Sequence, residues 1–264
     1  MPQFTELLDF AKTIAREAGD ITLQHYQTDL KPDFKSDDSP VTIADKNAEA
    51  HIRKRIESAY PDHDIVGEEF GFTQKNSRYR WFIDPIDGTK SFICGVPLYA
   101  VLIGLEIEGR VEVGVTHFPA LDEMVSAQTA GGCYFNDERV RVSEQGDLSR
   151  AIVAHIDTAS FGRISPAKAQ AWETISNASY YNAGWCDAYS YALVATGRAD
   201  LALDPIMNPW DCGPFPAIFR EAGGYFGDWK GNEGVIDAAE SIGVNANLKA
   251  QILKITAPAS QSHL

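Results

Sequence analysis

The sequence predicts a layered fold of the α/β or α+β class. Three observations predict it. Short apolar runs of strand length recur from residue 64 to residue 244, and several of them stop at a carboxylate. Amphipathic stripes at helical spacing lie around and between these runs. Strands and helices mix without strict alternation, and no internal repeat is present, which favours packed layers over a barrel. A chain of 264 residues is long enough to bury a large core. Two subdomains are expected, residues 1–145 and 146–264, with the polar stretch around residues 143–150 as the seam.

The elements follow in order. Phe4, Leu7, Leu8, Ala11, Ile14, Ala15 and Ala18 fall at three- and four-residue spacing and make one helical stripe. Residues 28–40 carry prolines and charges and read as a loop. A second helix begins near Val41 or Thr42, buries Ala44, Ala48, Ile52 and Ile56, and ends at Pro61, which places Asp45 in or near its first turn. Strands are expected at residues 64–67, 81–83 and 125–127, with a hairpin of residues 101–107 and 111–116 around Glu108-Gly109-Arg110. The second half restarts with a strand at residues 151–155. A helix at 187–195 stops at Gly197, and a strand follows at 200–203. Another helix starts after Trp210-Asp211 and ends at Gly223-Gly224. The last strand is residues 234–237 or 242–244, a helix begins at Leu248, and the small, polar tail from Ala257 is expected to fray.

Composition narrows the function. Hydrophobic residues make up 44% and charged residues 23%, which excludes a disordered or low-complexity chain. Lys and Arg number 23 against 37 Asp and Glu, a net charge of −14 that repels nucleic acid and anionic membrane. Cys94, Cys133, Cys186 and Cys212 lie far apart and show neither zinc nor redox spacing. No apolar run has the length of a membrane span and no secretory pattern opens the chain, so a cytoplasmic location is expected.

The acidic residues are not scattered. Glu68 and Glu69 follow the strand ending at Val66-Gly67, Asp84 and Asp87 follow Trp81-Phe82-Ile83, and Asp211 stands at a loop-to-helix junction. In Asp84-Pro85-Ile86-Asp87-Gly88-Thr89, Pro85 stiffens a turn that can fold Asp87 back beside Asp84. Two facing carboxylates repel and raise each other's pKa. A hard divalent cation removes the conflict, and oxygen-only ligands favour Mg²⁺ over zinc. The Ile86 carbonyl offers a further oxygen, and the Gly88 and Thr89 amides offer donors to a phosphate.

Gly67-Glu68-Glu69, Trp81 through Thr89, Trp210-Asp211 and Glu221-Ala222-Gly223-Gly224 together resemble the inositol monophosphatase superfamily of metal-dependent, lithium-sensitive phosphatases. The resemblance runs from about Phe4 to Ile255. Within the superfamily the chain looks most like the histidinol-phosphatase branch, on Ser39-Pro40-Val41-Thr42-Ile43-Ala44-Asp45, Gly88 through Phe92 with Gly95-Val96-Pro97, and Asp187-Ala188-Tyr189 leading to Val194 through Asp200. The resemblance implies an α-β-α-β-α sandwich, typically a homodimer. It implies one Mg²⁺ held by Glu68, Asp84 and the Ile86 carbonyl, a second held by Asp84, Asp87 and Asp211, and a weaker third near Glu68. It also implies that Thr89 and Asp45 orient and deprotonate the attacking water, with Glu68 assisting at the metal, and that Gly88 and Thr89 hold the phosphate.

The implied activity is a metal-dependent phosphomonoesterase acting on L-histidinol phosphate. An inositol-1-monophosphatase or broad polyol phosphatase is the alternative, and a 3′(2′),5′-bisphosphate nucleotidase or a non-catalytic homologue ranks below. Ser91 stands where many superfamily members carry Asn, and Pro214 and Pro216 predict an irregular helix start after Asp211. Asp187 and Asp204 are the candidates for binding the cationic end of the substrate, Asp187 being equally readable as a helix N-cap and Asp204 as part of a strand-end turn.

Overall fold

The stripe of Leu7, Ala11, Ile14, Ala15 and Ala18 is buried along helix α1 (Pro2–Leu23). The computed structural model describes residues 2–29, 32–34 and 40–260. Part of the expected 28–40 loop, Ser39 of the sequence motif, and the tail beyond Ser260 lie outside the described residues. The described part of that loop holds two short strands, β1 (Asp33–Phe34) and β2 (Pro40–Val41), paired antiparallel. Helix α2 (Ile43–Ala59) starts where Thr42 caps it, and it ends before Pro61.

An eight-stranded sheet follows, built from β3 (Asp64–Gly67), β4 (Gly71–Thr73), β5 (Tyr79–Asp87), β6 (Ala100–Ile107), β7 (Arg110–Phe118), β8 (Glu123–Gln128), β9 (Gly132–Phe135) and β10 (Glu138–Val140). All neighbours are antiparallel except β3 and β5. A short helix, α3 (Thr89–Ile93), links β5 to β6. A second sheet holds β11 (Ile152–His155), β12 (Tyr181–Gly184), β13 (Leu201–Asp204), β14 (Gly224–Gly227) and β15 (Ser241–Asn245), in the order β12-β11-β13-β15-β14. Its helices are α4 (Thr158–Ile164), α5 (Pro166–Ala178), α6 (Asp187–Ala195), α7 (Pro209–Cys212), α8 (Phe215–Ala222) and α9 (Lys249–Ser260).

Side-chain alternation stacks these elements into layers. On β6, Val101, Ile103 and Leu105 pack with α1 and α2, while Ala100 and Leu102 pack with α6 and α8. On the second sheet, Ala154, Ala202 and Phe226 face that same α6 and α8 layer. Val153, Leu201, Tyr225 and Ile242 face the opposite way, with Phe161, Ile175 and Ile252 of α4, α5 and α9. The result is the expected α-β-α-β-α sandwich.

Four expectations need correction. The last strand is β15; residues 234–237 are a bend region, because Gly234 adopts φ +74° and its amide turns back to the Phe226 carbonyl. The tail does not fray at Ala257: α9 continues to Ser260, where Ala259 and Ser260 are buried and the Ser260 hydroxyl donates to Glu240. The helix after Trp210 is two helices, α7 and α8, broken at Gly213-Pro214, as the prolines foretold. Short edge elements such as β4, β10 and β12 escaped notice because three or four residues carry too little periodicity.

The break between α7 and α8 lies directly on the eight-stranded sheet. Gly104 and Gly114 are cross-strand partners on β6 and β7. A Cβ on Gly104 would sit 2.2 Å from the Gly213 carbonyl oxygen, and one on Gly114 would sit 2.1 Å from that of Pro214. Glycine at both positions lets the 213–214 backbone seat there, and Asp211 is carried to its place by that seating. Gly114→Ala is therefore expected to cost about 1–3 kcal/mol by overpacking against backbone that cannot rotate away. Denaturant unfolding checks this; wild-type stability in the variant would refute the close-approach argument.

Candidate active site

Asp84 and Asp87 converge because β5 carries a bulge. From Asp84↔Leu102 to Asp87↔Ala100, three steps on β5 match two on β6. Residues three apart on a regular strand point to opposite faces, and the extra residue turns both carboxylates to one side. Asp84 Oδ1 accepts from the Ile86 amide at 2.9 Å, and Asp87 Oδ2 accepts from the Ala188 amide at the start of α6 at 2.7 Å. Asp211 reaches the same point from α7. Its Oδ2 accepts from the Asn208 amide at 2.7 Å and the Asn208 side chain at 3.1 Å, a capping box with Asn208 as N-cap. One carboxylate oxygen from each of Asp84, Asp87 and Asp211 lies within 4.8 Å of the others. Glu68, just past β3, hydrogen-bonds the Asp84 carboxyl and lines the same cavity of about 300 Å³.

This donor set fits a hard divalent cation. It is all oxygen, largely buried, and electrostatically frustrated without one. Burial first, then the charges of Glu68, Asp87 and Asp211, pushes the Asp84 carboxyl well up from its usual range. Burial first, then Asp187 and Asp211, does the same to Asp87. Asp211 is pushed up to about 7, by burial first and then by Glu68 and Asp187, against the pull of its Asn208 bonds.

Other expected site residues are placed as follows. Gly88 caps α3 at φ +82°, and a Cβ there would sit 2.9 Å from Cys186 Sγ. The Thr89 hydroxyl donates to the Ile86 carbonyl at 3.2 Å, so the expected oxygen ligand and the expected base partner adjoin. Asp45 does not line the cavity: its Oδ2 takes the Thr42 amide at 2.7 Å and the Thr42 hydroxyl at 2.5 Å, while its buried Oδ1 has no hydrogen-bond partner. Burial raises the Asp45 carboxyl, the Thr42 bonds oppose this, and the Glu68 charge adds to it. Asp187 and Asp204 both line the cavity. Asp187 is the first residue of α6 and not its cap, which is Cys186 at φ +70°. Asp204 is fully buried, accepts the Ile206 amide at 2.9 Å, and is raised well above its usual range, chiefly by burial.

Sequence reasoning missed two positioning residues. Glu49 and Arg53 continue the four-residue spacing from Asp45 along α2, and all three are buried. Glu49 takes the Glu69 amide at 2.7 Å and the Phe70 amide at 3.1 Å, and pairs with Arg53 Nε at 2.7 Å. Arg53 in turn donates to the Gly71 carbonyl and to the Thr73 hydroxyl. The β3–β4 turn that carries Glu68 is thus clamped to α2. The four-residue polar spacing within an apolar stripe was the available signal. Asn208, three residues before Asp211, was legible as a capping box. Asp157, Ser160 and Arg163 line the cavity beside Asp187 with no local motif to announce them, and Lys90 is exposed at its rim.

An acidic cavity whose oxygens could hold a cation, set in an α-β-α-β-α sandwich, is the arrangement expected of a metal-dependent phosphatase. The chain belongs to the inositol monophosphatase family, which it matches over residues 3–262. The histidinol-phosphatase of Chlorobaculum parvum is 40% identical over 239 residues, covering 90% of this chain and 92% of that protein. Nus factor SuhB of Pasteurella multocida is 31% identical over 256 residues, 96% of each chain. Among solved structures, the Thermotoga maritima IMPase superposes with a TM-score of 0.86 at 29% identity, covering 96% of this chain and 98% of that one. The protein is a phosphatase of this family acting on small phosphate esters.

Two tests follow from the geometry. With Asp211 raised to about 7, the folded metal-free protein holds a proton that the unfolded chain has already released near about pH 4. That contribution to stability is complete below the unfolded pKa and is lost as pH rises through about 7. The metal-free melting temperature should therefore fall from pH 6 to pH 8, while divalent-cation affinity rises over the same range as protons leave the site. Calorimetry at several pH values checks both; a pH-independent affinity would refute the raised carboxyls. Glu49→Gln should weaken cation binding about 10–100-fold by loosening Glu68, measured by direct Mn²⁺ titration of the folded variant. Unchanged affinity would show that the clamp does not reach the site.

Proposed function

We propose that the protein is a Mg²⁺-dependent phosphomonoesterase that hydrolyses L-histidinol phosphate to L-histidinol and phosphate. The observation that carries this reading is the excess of acids in the cavity. Asp187 and Asp204 line it together with Asp84, Asp87 and Asp211, and the Asp187 charge acts on both Asp87 and Asp211. A phosphate ester that also carries cationic nitrogen offers these additional acids a partner, whereas a polyol phosphate offers them only hydroxyls. The 40% identity to a histidinol-phosphatase supports the same choice. A cytoplasmic homodimer with two subdomains meeting near residue 145 completes the reading.

Glu68, Asp84, the Ile86 carbonyl, Asp87 and Asp211 would hold two ions, with a third near Glu68. Bound there, Mg²⁺ would acidify a water, neutralise the phosphate and stabilise the leaving oxygen. Thr89, beside the Ile86 carbonyl, orients the attacking water, and Glu68 takes up its proton, with Asp45, outside the cavity lining, acting through the Glu68 carboxylate. The Gly88 and Thr89 amides hold the phosphate oxygens, which the left-handed backbone at Gly88 permits. Asp187 accepts from the substrate ammonium. Asp204, neutral when buried alone, ionises against that same cation.

The test is a parallel measurement of kcat/KM with Mg²⁺ on histidinol phosphate, inositol 1-phosphate and adenosine 3′,5′-bisphosphate. Histidinol phosphate should lead by about tenfold or more, the worth of one charge-assisted contact. A preference for inositol 1-phosphate would sink the histidinol reading and leave a polyol phosphatase. Asp187→Asn should raise KM for histidinol phosphate selectively, and an equal rise for both esters would remove the ammonium role.

A further inference from the structure

A second cavity, of about 560 Å³, lies outside the carboxylate site. Its walls include Val66 of β3, Phe82 of β5 and Pro209 of α7. Each of these stands two residues before an acid of the active site: Glu68, Asp84 and Asp211. The cavity therefore backs onto all three elements that deliver those carboxylates. Its volume is in the range that takes a small molecule.

The polar groups around it are incompletely satisfied. Arg80 lines the cavity, and its buried Nε has no hydrogen-bond partner. Two carboxylates reach its guanidinium at long range, Glu106 at 3.5 Å, which lines the cavity too, and Asp64 at 3.9 Å, and the group lies 5.8 Å over the Phe72 ring. Asp237 lines the same cavity and, among the described residues, forms no ion pair or hydrogen bond. Glu233, the other acid on that side, is engaged by Lys249 at 3.0 Å. Phe72, half exposed, and Ile236 add apolar wall. Arg80, held by two long ion pairs, and the exposed Asp237, unpaired among the described residues, thus share one cleft of mixed polar and apolar wall.

We propose that this cleft is a regulatory site for an α-amino acid with an aromatic side chain. The ligand's carboxylate takes the outer nitrogens of Arg80 in place of the long Glu106 pair, its ammonium meets Asp237, and its ring packs against Phe72 and Phe82. Neither a plain amine nor a plain acid satisfies both protein charges. Occupancy presses on Val66, Phe82 and Pro209 and so shifts the spacing of Glu68, Asp84 and Asp211, where small displacements matter to a cation site. The ligand acts without entering the catalytic cavity.

The test uses L-phenylalanine, with phenethylamine and 3-phenylpropionate as single-charge controls, on the full chain. Saturation-transfer NMR and calorimetry read binding directly, independently of which ester the enzyme hydrolyses. The expected result is saturable binding of L-phenylalanine, weaker by about tenfold or more for each control and in both Asp237→Asn and Arg80→Met. Turnover should fall severalfold at saturating substrate with no change in KM, and the Asp237→Asn protein should keep its basal turnover while losing the response. Absence of saturable binding up to about 10 mM, equal binding in both variants, or inhibition that substrate competes away would each overturn the proposal. Binding that depends on both charges in an enzyme preferring inositol 1-phosphate would overturn only the substrate assignment.

Discussion

Four aspartates of the active-site cavity each give a carboxylate oxygen to a backbone N–H: Asp84 to Ile86, Asp87 to Ala188, Asp204 to Ile206 and Asp211 to Asn208. The rest of the site depends on this tethering. Buried like charges repel strongly where the dielectric is low, and untethered carboxylates would turn outward to water. A backbone amide cannot follow them, so the second oxygen stays where a cation can use it. The raised carboxyl pKa values are the residual cost of that arrangement, and a bound cation removes it.

The tethers also explain why the fold needs both sheets. Asp84 is held within its own turn, but Asp87 is held by the first turn of α6, which belongs to the layer between the sheets. Asp211 arrives on α7, whose following backbone rests on Gly104 and Gly114 of the eight-stranded sheet. Glu68 is steadied by a third element, the polar face of α2. Displacing any one layer would change the spacing of the carboxylates. Much of the −14 charge can be read in this light: some acids are concentrated into one cation site, which becomes attractive to phosphate once filled.

Asp211 of the site and Asp45 outside its lining share a further device. Asp45 and Asp211 each occupy the third position of a helix behind a polar cap, Thr42 and Asn208. The capping box satisfies orphan helix amides and at the same time fixes the rotamer of an acid. Asp45 keeps one buried oxygen without a hydrogen-bond partner, and burial together with the Glu68 charge raises its carboxyl.

The amino-acid sequence by itself determined the layered α/β class, the main helices and strands, and the identity of the carboxylates. It could do so because periodicity, capping and turn chemistry act over a few neighbouring residues, and because Glu68, Asp84, Asp87 and Asp211 stand where apolar elements stop. Tertiary structure alone decided what joins them. The bulge that turns Asp87 beside Asp84, the Ala188 amide 101 residues away in sequence, the Glu49–Arg53 clamp and the seating of residues 213–214 on two glycines all rest on contacts between distant segments. So does the cleft behind the site, whose Arg80 and Asp237 carry no shared motif. Local patterns specify elements and even tether Asp84, Asp204 and Asp211 within their own turns, whereas the convergence of the charges is fixed only when the packed layers bring those turns together.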